Sequence, residues 1–149
     1  MTGVLITVSG EDVAALHLEE MAARTLDLRP AFSQVRRDLI AGNRRQFESR
    51  GSYFGSGWAP LADSTVARTG GEEPLVDSGA LRASLIGGRG RKTSVDRSGV
   101  SVGTSVWYAH FAHSGTQREP ARSLVGITEL EVESAKRTIS RYVTDGIVA

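Results

Sequence analysis

The residues of this chain that could do chemistry are His110 and His113, in the run Trp107-Tyr108-Ala109-His110-Phe111-Ala112-His113-Ser114-Gly115, and the pair Asp77-Ser78. Histidines three apart share one face of a helix and can hold a metal together; on a strand they point to opposite sides. The run reads as a strand, aromatic and small residues ending at a glycine, and no carboxylate or further ligand lies nearby. A hydrolytic triad can be assembled from Asp77, Ser78 or Ser114, and His110, because triads are defined by geometry and not by chain order. Against it, Gly55-Ser56-Gly57 lacks the full nucleophile-elbow pattern, and Asp77-Ser78 is explained as a helix cap. The chain has no cysteine, which excludes disulfides, thiolate nucleophiles and cysteine-ligated zinc. The expectation is therefore a contacting surface rather than a reaction centre: no catalytic residues, no cofactor, no metal, not an enzyme.

These residues need a scaffold, and 149 residues suffice for one core. Hydrophobic residues make up 40% and charged residues 23%, as in ordinary globular domains. No apolar run approaches the roughly 20 residues that span a bilayer. The first ten residues lack the pattern of a secretory signal, so a cytoplasmic start is expected. The net charge of +1 conceals two basic patches: Arg36, Arg37, Arg44, Arg45 and Arg50 against Asp38 and Glu48, and Arg82, Arg89, Arg91, Lys92 and Arg97 against Asp96.

Alternation at Val4, Ile6 and Val8 predicts a first strand. Helical spacing from Glu11 to about Asp27 predicts a helix, with Ser9 or Asp12 as its cap. Arg29-Pro30 breaks it and opens a second helix carrying Phe32, Val35, Leu39 and Phe47, to about Ser49. Residues 51–60 are a glycine, serine and aromatic connector, expected to be long and partly mobile. Short helices are predicted over 61–68 and 79–85, the latter capped by Asp77-Ser78, then a flexible basic loop over 87–92. Thr93 and Val95 face Val100 and Val102 across Arg97-Ser98-Gly99, a hairpin, and a third strand is predicted at 106–112. Thr128 with Glu131 matches a capping box opening a C-terminal helix. The fold class is α+β: a small antiparallel β-sheet, hairpin or meander, packed against two N-terminal helices and one C-terminal helix. Residues 1–149 make one domain with flexible arms near 50–60 and 86–92.

Tyr53, Phe54, Trp58, Trp107, Tyr108 and His110 are candidate interface residues, since aromatic groups bury large areas and dominate contact energetics. Arg89, Arg91 and Lys92, set among glycines, are candidate DNA-facing residues. A nucleic-acid-binding module is thus the competing class of function.

Taken in order, several motifs form a pattern: Phe47, then Gly57-Trp58-Ala59-Pro60-Leu61 and Thr65; Leu75-Val76-Asp77-Ser78-Gly79-Ala80-Leu81-Arg82-Ala83-Ser84-Leu85; Val100-Ser101-Val102-Gly103-Thr104; Tyr108-Ala109 with histidine and glycine after; and Pro120-Ala121-Arg122. This order resembles the phage virion morphogenesis family, the tail-completion proteins of Mu-like and related tailed phages, over roughly Phe47 to Gly126. The chain departs from the family pattern at Ser123-Leu124, where a proline and an aromatic usually follow the arginine, and in the spacing around His113-Ser114-Gly115.

The resemblance implies a structural virion protein without a catalytic residue set. It would act in tail completion and head–tail joining at the neck, the head-proximal end of the tail, after assembly in the host cytoplasm. Implied partners are copies of itself in a ring, a hexamer favoured over a dodecamer, and neighbouring neck and tail proteins: connector or adaptor, tail terminator or tube. Packaged DNA in the channel is a further candidate partner, and no membrane is implied. Arg122 joins the candidate interface residues on this basis.

Overall fold

The structure, a computed structural model, describes residues 9–71 and 73–148. The strand expected at Val4 to Val8 lies outside the described residues. Helix α1, Gly10–Thr25, opens with a capping box: Ser9 Oγ accepts from the Asp12 amide at 3.2 Å, and Asp12 Oδ2 accepts from the Ser9 amide at 3.4 Å. Two of the orphan groups of a helix start are thereby paired. Pro30 then occupies the first turn of α2, Arg29–Glu48, where a missing N–H costs nothing.

Helix α2 is the central strut. It buries Ala31, Val35, Gly42, Asn43, Gln46 and Phe47, a stripe at three- and four-residue spacing. One side of α2 meets α6, Glu129–Asp145; another meets α4, Ala80–Ile86, and the hairpin β1, Arg91–Val95, with β2, Val100–Thr104. A short helix α3, Asp63–Thr69, lies between the connector and α4. Gly79 and Gly87, with φ of 72° and 115°, bracket α4 in backbone conformations that suit glycine. The expected Asp77-Ser78 cap is reduced to Ser78 Oγ, which accepts from the Ala80 amide at 3.4 Å. The hairpin register pairs Thr93 with Val102 and Val95 with Val100, as the alternation predicts.

The third strand does not form. Residues 106–108 are a turn leading into helix α5, Ala109–Ser114, with the Ala109 amide donating to Val106 O and the Ala112 amide to Tyr108 O. Tyr108, Ala109 and Ala112 face the core while His110, Phe111 and Ser114 are exposed, a helical division of faces. The aromatic content of the run points towards a strand; the burial pattern over a span this short decides for a helix. The sheet is therefore a two-stranded hairpin, resting on α2 and α4 rather than on both N-terminal helices, and the fold remains α+β.

Phe47, Leu81, Leu85, Ala109 and Leu124 make the core, with Trp58, Leu75, Ile86, Val106, Tyr108 and Ala112 packed around it. Burying each of the larger side chains stabilises the fold by about 1.5–3 kcal/mol. Helix α6 starts at the predicted box: Thr128 Oγ1 accepts from the Glu131 amide at 3.2 Å and Glu131 Oε2 from the Thr128 amide at 2.8 Å. Its other end is closed by Arg24 of α1, which donates to Val143 O at 2.9 Å and Thr144 O at 2.8 Å, a cation where the helix dipole favours one.

Candidate interaction surface

Helix α5 presents its outer face to solvent beside an apolar groove of about 330 Å³, lined by Leu85, Thr104, Val106, Trp107, Leu124 and Val125 among others. The Trp107 side chain stands 77% exposed. Its ring packs edge-on against Tyr108 at 5.7 Å and Phe111 at 6.3 Å, and Phe111 lies against His110 at 3.7 Å. His110 Nδ1 donates to Trp107 O at 3.3 Å. Of the expected interface residues, the structure thus brings Trp107, Tyr108 and His110 together, with Tyr108 turned towards the core.

The histidines do different work. His113 Nδ1 accepts from the Leu124 amide at 3.1 Å, which places the ring proton on Nε2 and ties α5 to the segment that supplies Leu124 to the core. No group of three or more histidine, cysteine, aspartate or glutamate side chains among the described residues is arranged to hold a metal. Nor does a hydrogen bond among the described residues join His110 to Asp77, Ser78 or Ser114. No helix among them is long and apolar enough to cross a membrane.

Residues 122–124 brace the surface from behind. Arg122, 7% exposed, donates from its backbone to Ala112 O at 2.9 Å, from Nε to Ala59 O at 3.1 Å and from Nη2 to Pro60 O at 3.1 Å. Its guanidinium therefore points into its own chain. Ser123 O accepts from two directions, Gln46 Nε2 at 2.7 Å and Trp58 Nε1 at 2.8 Å.

The connector at 51–60, expected as a mobile arm, is stitched to the body at several points. Trp58 packs edge-on against Phe47 at 5.1 Å. The Phe54 amide donates to Gln46 Oε1 at 2.9 Å, and Phe54 lies over Gly126, where a Cβ would come within 3.0 Å of its ring. Tyr53 donates its hydroxyl to Glu131 Oε1 at 2.9 Å and accepts from Arg45 Nη1 at 3.1 Å. Gly51, at φ 94°, lies so close under the Trp58 indole that no side chain fits there.

Sequence comparison completes the picture: a model of the phage virion morphogenesis family matches residues 11–144, from the start of α1 to the end of α6. The chain belongs to the phage virion morphogenesis family. Its role is accordingly structural, in building a phage particle. Comparison with curated proteins and with solved structures returns no significant match.

In this virion morphogenesis protein, residues the sequence does not single out supply much of the buried hydrogen bonding. Gln46 is wholly buried in α2, and Asn43, one turn earlier, donates to Leu85 O at 3.2 Å. Ser84 Oγ donates to Leu81 O at 2.7 Å and accepts from Thr104 Oγ1 at 2.6 Å, joining α4 to β2. Their position on the same three- and four-residue stripe as Val35 and Phe47 is the signal that marks Asn43 and Gln46 as inward-facing. The basic residues behave otherwise. Arg89, Arg91 and Lys92 are exposed, Arg91 and Lys92 lie in β1 rather than in a loop, and none makes an ion pair among the described residues.

Proposed function

We propose that this chain is a ring subunit of the phage neck, finishing the tail and joining it to the head, with itself and neighbouring neck and tail proteins as partners. The observation that carries this reading is the exposed surface of Trp107, in the turn before α5, with Phe111 and His110 on α5, braced from behind by His113, Arg122 and Leu124. A large aromatic held out on a rigid support adds contact area at small entropic cost. A ring needs such a patch to meet a different patch on the next copy, a heterologous contact that closes around an axis. A hexamer is favoured over a dodecamer.

Immunogold labelling of virions and mass spectrometry of isolated tails test the location. Label confined to the head-proximal end of the tail is expected; a protein missing from finished particles, or spread along the tail, would sink the reading. The exposed cations Arg89, Arg91 and Lys92 favour a second reading, contact with nucleic acid. Affinity of the purified protein for duplex DNA that falls steeply with salt, and falls again on replacing all three, would support it.

A further inference from the structure

Helix α1 is the least covered element of the structure. Residues 10–20 are all exposed, including Val13, Leu16 and Leu18, with Leu16 at 62%. Its sequence from Val13 to Ala23 is apolar around most of its circumference, the pattern of a helix covered on more than one side. Among the described residues α1 packs on α6, and Arg24 anchors its end there. Opposite that side, Asp12, Leu16, Glu19 and Ala23 fall on one stripe, at steps of four, three and four, with a carboxylate a turn before and a turn after the leucine. Helix α1 carries Glu11, Asp12, Glu19 and Glu20 against Arg24 alone. An isolated helix of this length is marginal in water.

The groove beside Trp107 has the complementary character. It is apolar, about 330 Å³, with room for a pair of aliphatic side chains, and its floor and rim include Val106, Leu124 and the exposed Val125. Thr104, on the groove wall, is paired across the hairpin with Arg91, whose side chain leaves the same face of the hairpin, while that of Lys92 leaves the other. An apolar slot beside a cation thus matches a leucine flanked by carboxylates, on a different part of the same molecule.

We propose that α1 of one copy docks on the next copy, Leu16 entering the groove between Trp107 and Val125 and Glu19 facing Arg91. The occupant is a second copy of this chain, and the contact is heterologous, so repetition closes a ring. This rests on the ring-subunit reading above and names the two faces that the ring brings together.

The absence of native cysteine makes the test direct. Leu16→Cys and Val125→Cys are made in separate proteins, both at exposed positions where folding is undisturbed. Mixing them under mild oxidation should give a cross-linked dimer, while either variant alone gives none. Adding Arg91→Glu to the Val125→Cys protein should slow cross-linking about tenfold, and Glu19→Lys in the partner should restore it. Dimers from Leu16→Cys alone would indicate a symmetric helix pair and overturn the proposal. So would the absence of a mixed dimer, or a rate indifferent to both charge reversals. If instead Arg91→Glu with Lys92→Glu abolishes DNA binding and leaves cross-linking unchanged, these cations serve nucleic acid and the charge pairing is wrong. Failure of the neck reading shows separately, as misplaced immunogold label with cross-linking intact.

Discussion

Gln46 carries more of the architecture than its residue type suggests. Its amide accepts from Phe54 N and donates to Ser123 O, so one buried side chain joins α2 to the connector and to the strip behind α5. In Gln46→Leu the Phe54 N–H loses its acceptor, while Ser123 O keeps Trp58; an unpaired buried donor costs about 1–3 kcal/mol. Urea unfolding should show a loss in that range, and an unchanged midpoint would contradict the role given to the amide. Gln46→Glu keeps the acceptor and places a charge in the core, so its deficit should shrink as the pH is lowered from 7 to 5.

At the surface, Asp27 is held at about 2, below its ordinary 3.8, chiefly by the hydrogen bond from the Arg29 guanidinium. A lowered folded-state pKa contributes stability that is fully present above about pH 4 and is lost as the pH falls towards 2. Asp12 is shifted the same way by its bond with Ser9, and Asp96 by its bonds from Ser98. Melting temperature followed from pH 5 to 2 should therefore fall, and fall less in Asp27→Asn; parallel profiles would remove Asp27 from the account.

The elements show which signals can be read from a sequence and which cannot. The box at Thr128 and Glu131, the break at Arg29-Pro30 and the hairpin pairing all depend on residues within a few positions of one another, and all appear as expected. The run at 106–112 is different, because its aromatic and small residues suit strand and helix alike over so short a span. Burial of Tyr108, Ala109 and Ala112 against α4 and the Leu124 segment decides it, and no local pattern contains that information. Arg122 likewise is recognisable as part of a motif, while its inward direction depends on carbonyls about sixty positions earlier. The long reach also links Tyr53 to α6: Glu131 serves the cap with Oε2 and Tyr53 with Oε1. Thr128→Ala should cost about 1 kcal/mol by removing the cap alone. Tyr53→Phe and Glu131→Ala should show non-additive losses in a double-mutant cycle, since they share a bond; strictly additive values would mean that the bond between them contributes nothing.

Across the whole molecule, the two tryptophans stand in opposite environments. Trp58 lies against Phe47, covers Gly51 and donates to Ser123 O, so the body of the protein is built around it. Trp107 packs edge-on against Tyr108 and Phe111 and faces solvent beside the groove. Trp58→Ala should destabilise by about 3–5 kcal/mol, as removal of a packed aromatic does. Trp107→Ala should leave stability within about 0.5 kcal/mol of the parent, as exposed substitutions do. If the exposed ring exists for contact, complementing a phage that lacks this gene with Trp107→Ala should give full heads and tails that stay separate in negative stain, from a protein that melts normally. A Trp107→Phe variant retains much of the contact area and should recover part of the yield. Wild-type numbers of joined particles from Trp107→Ala would show that the aromatic face of α5 plays no part in assembly.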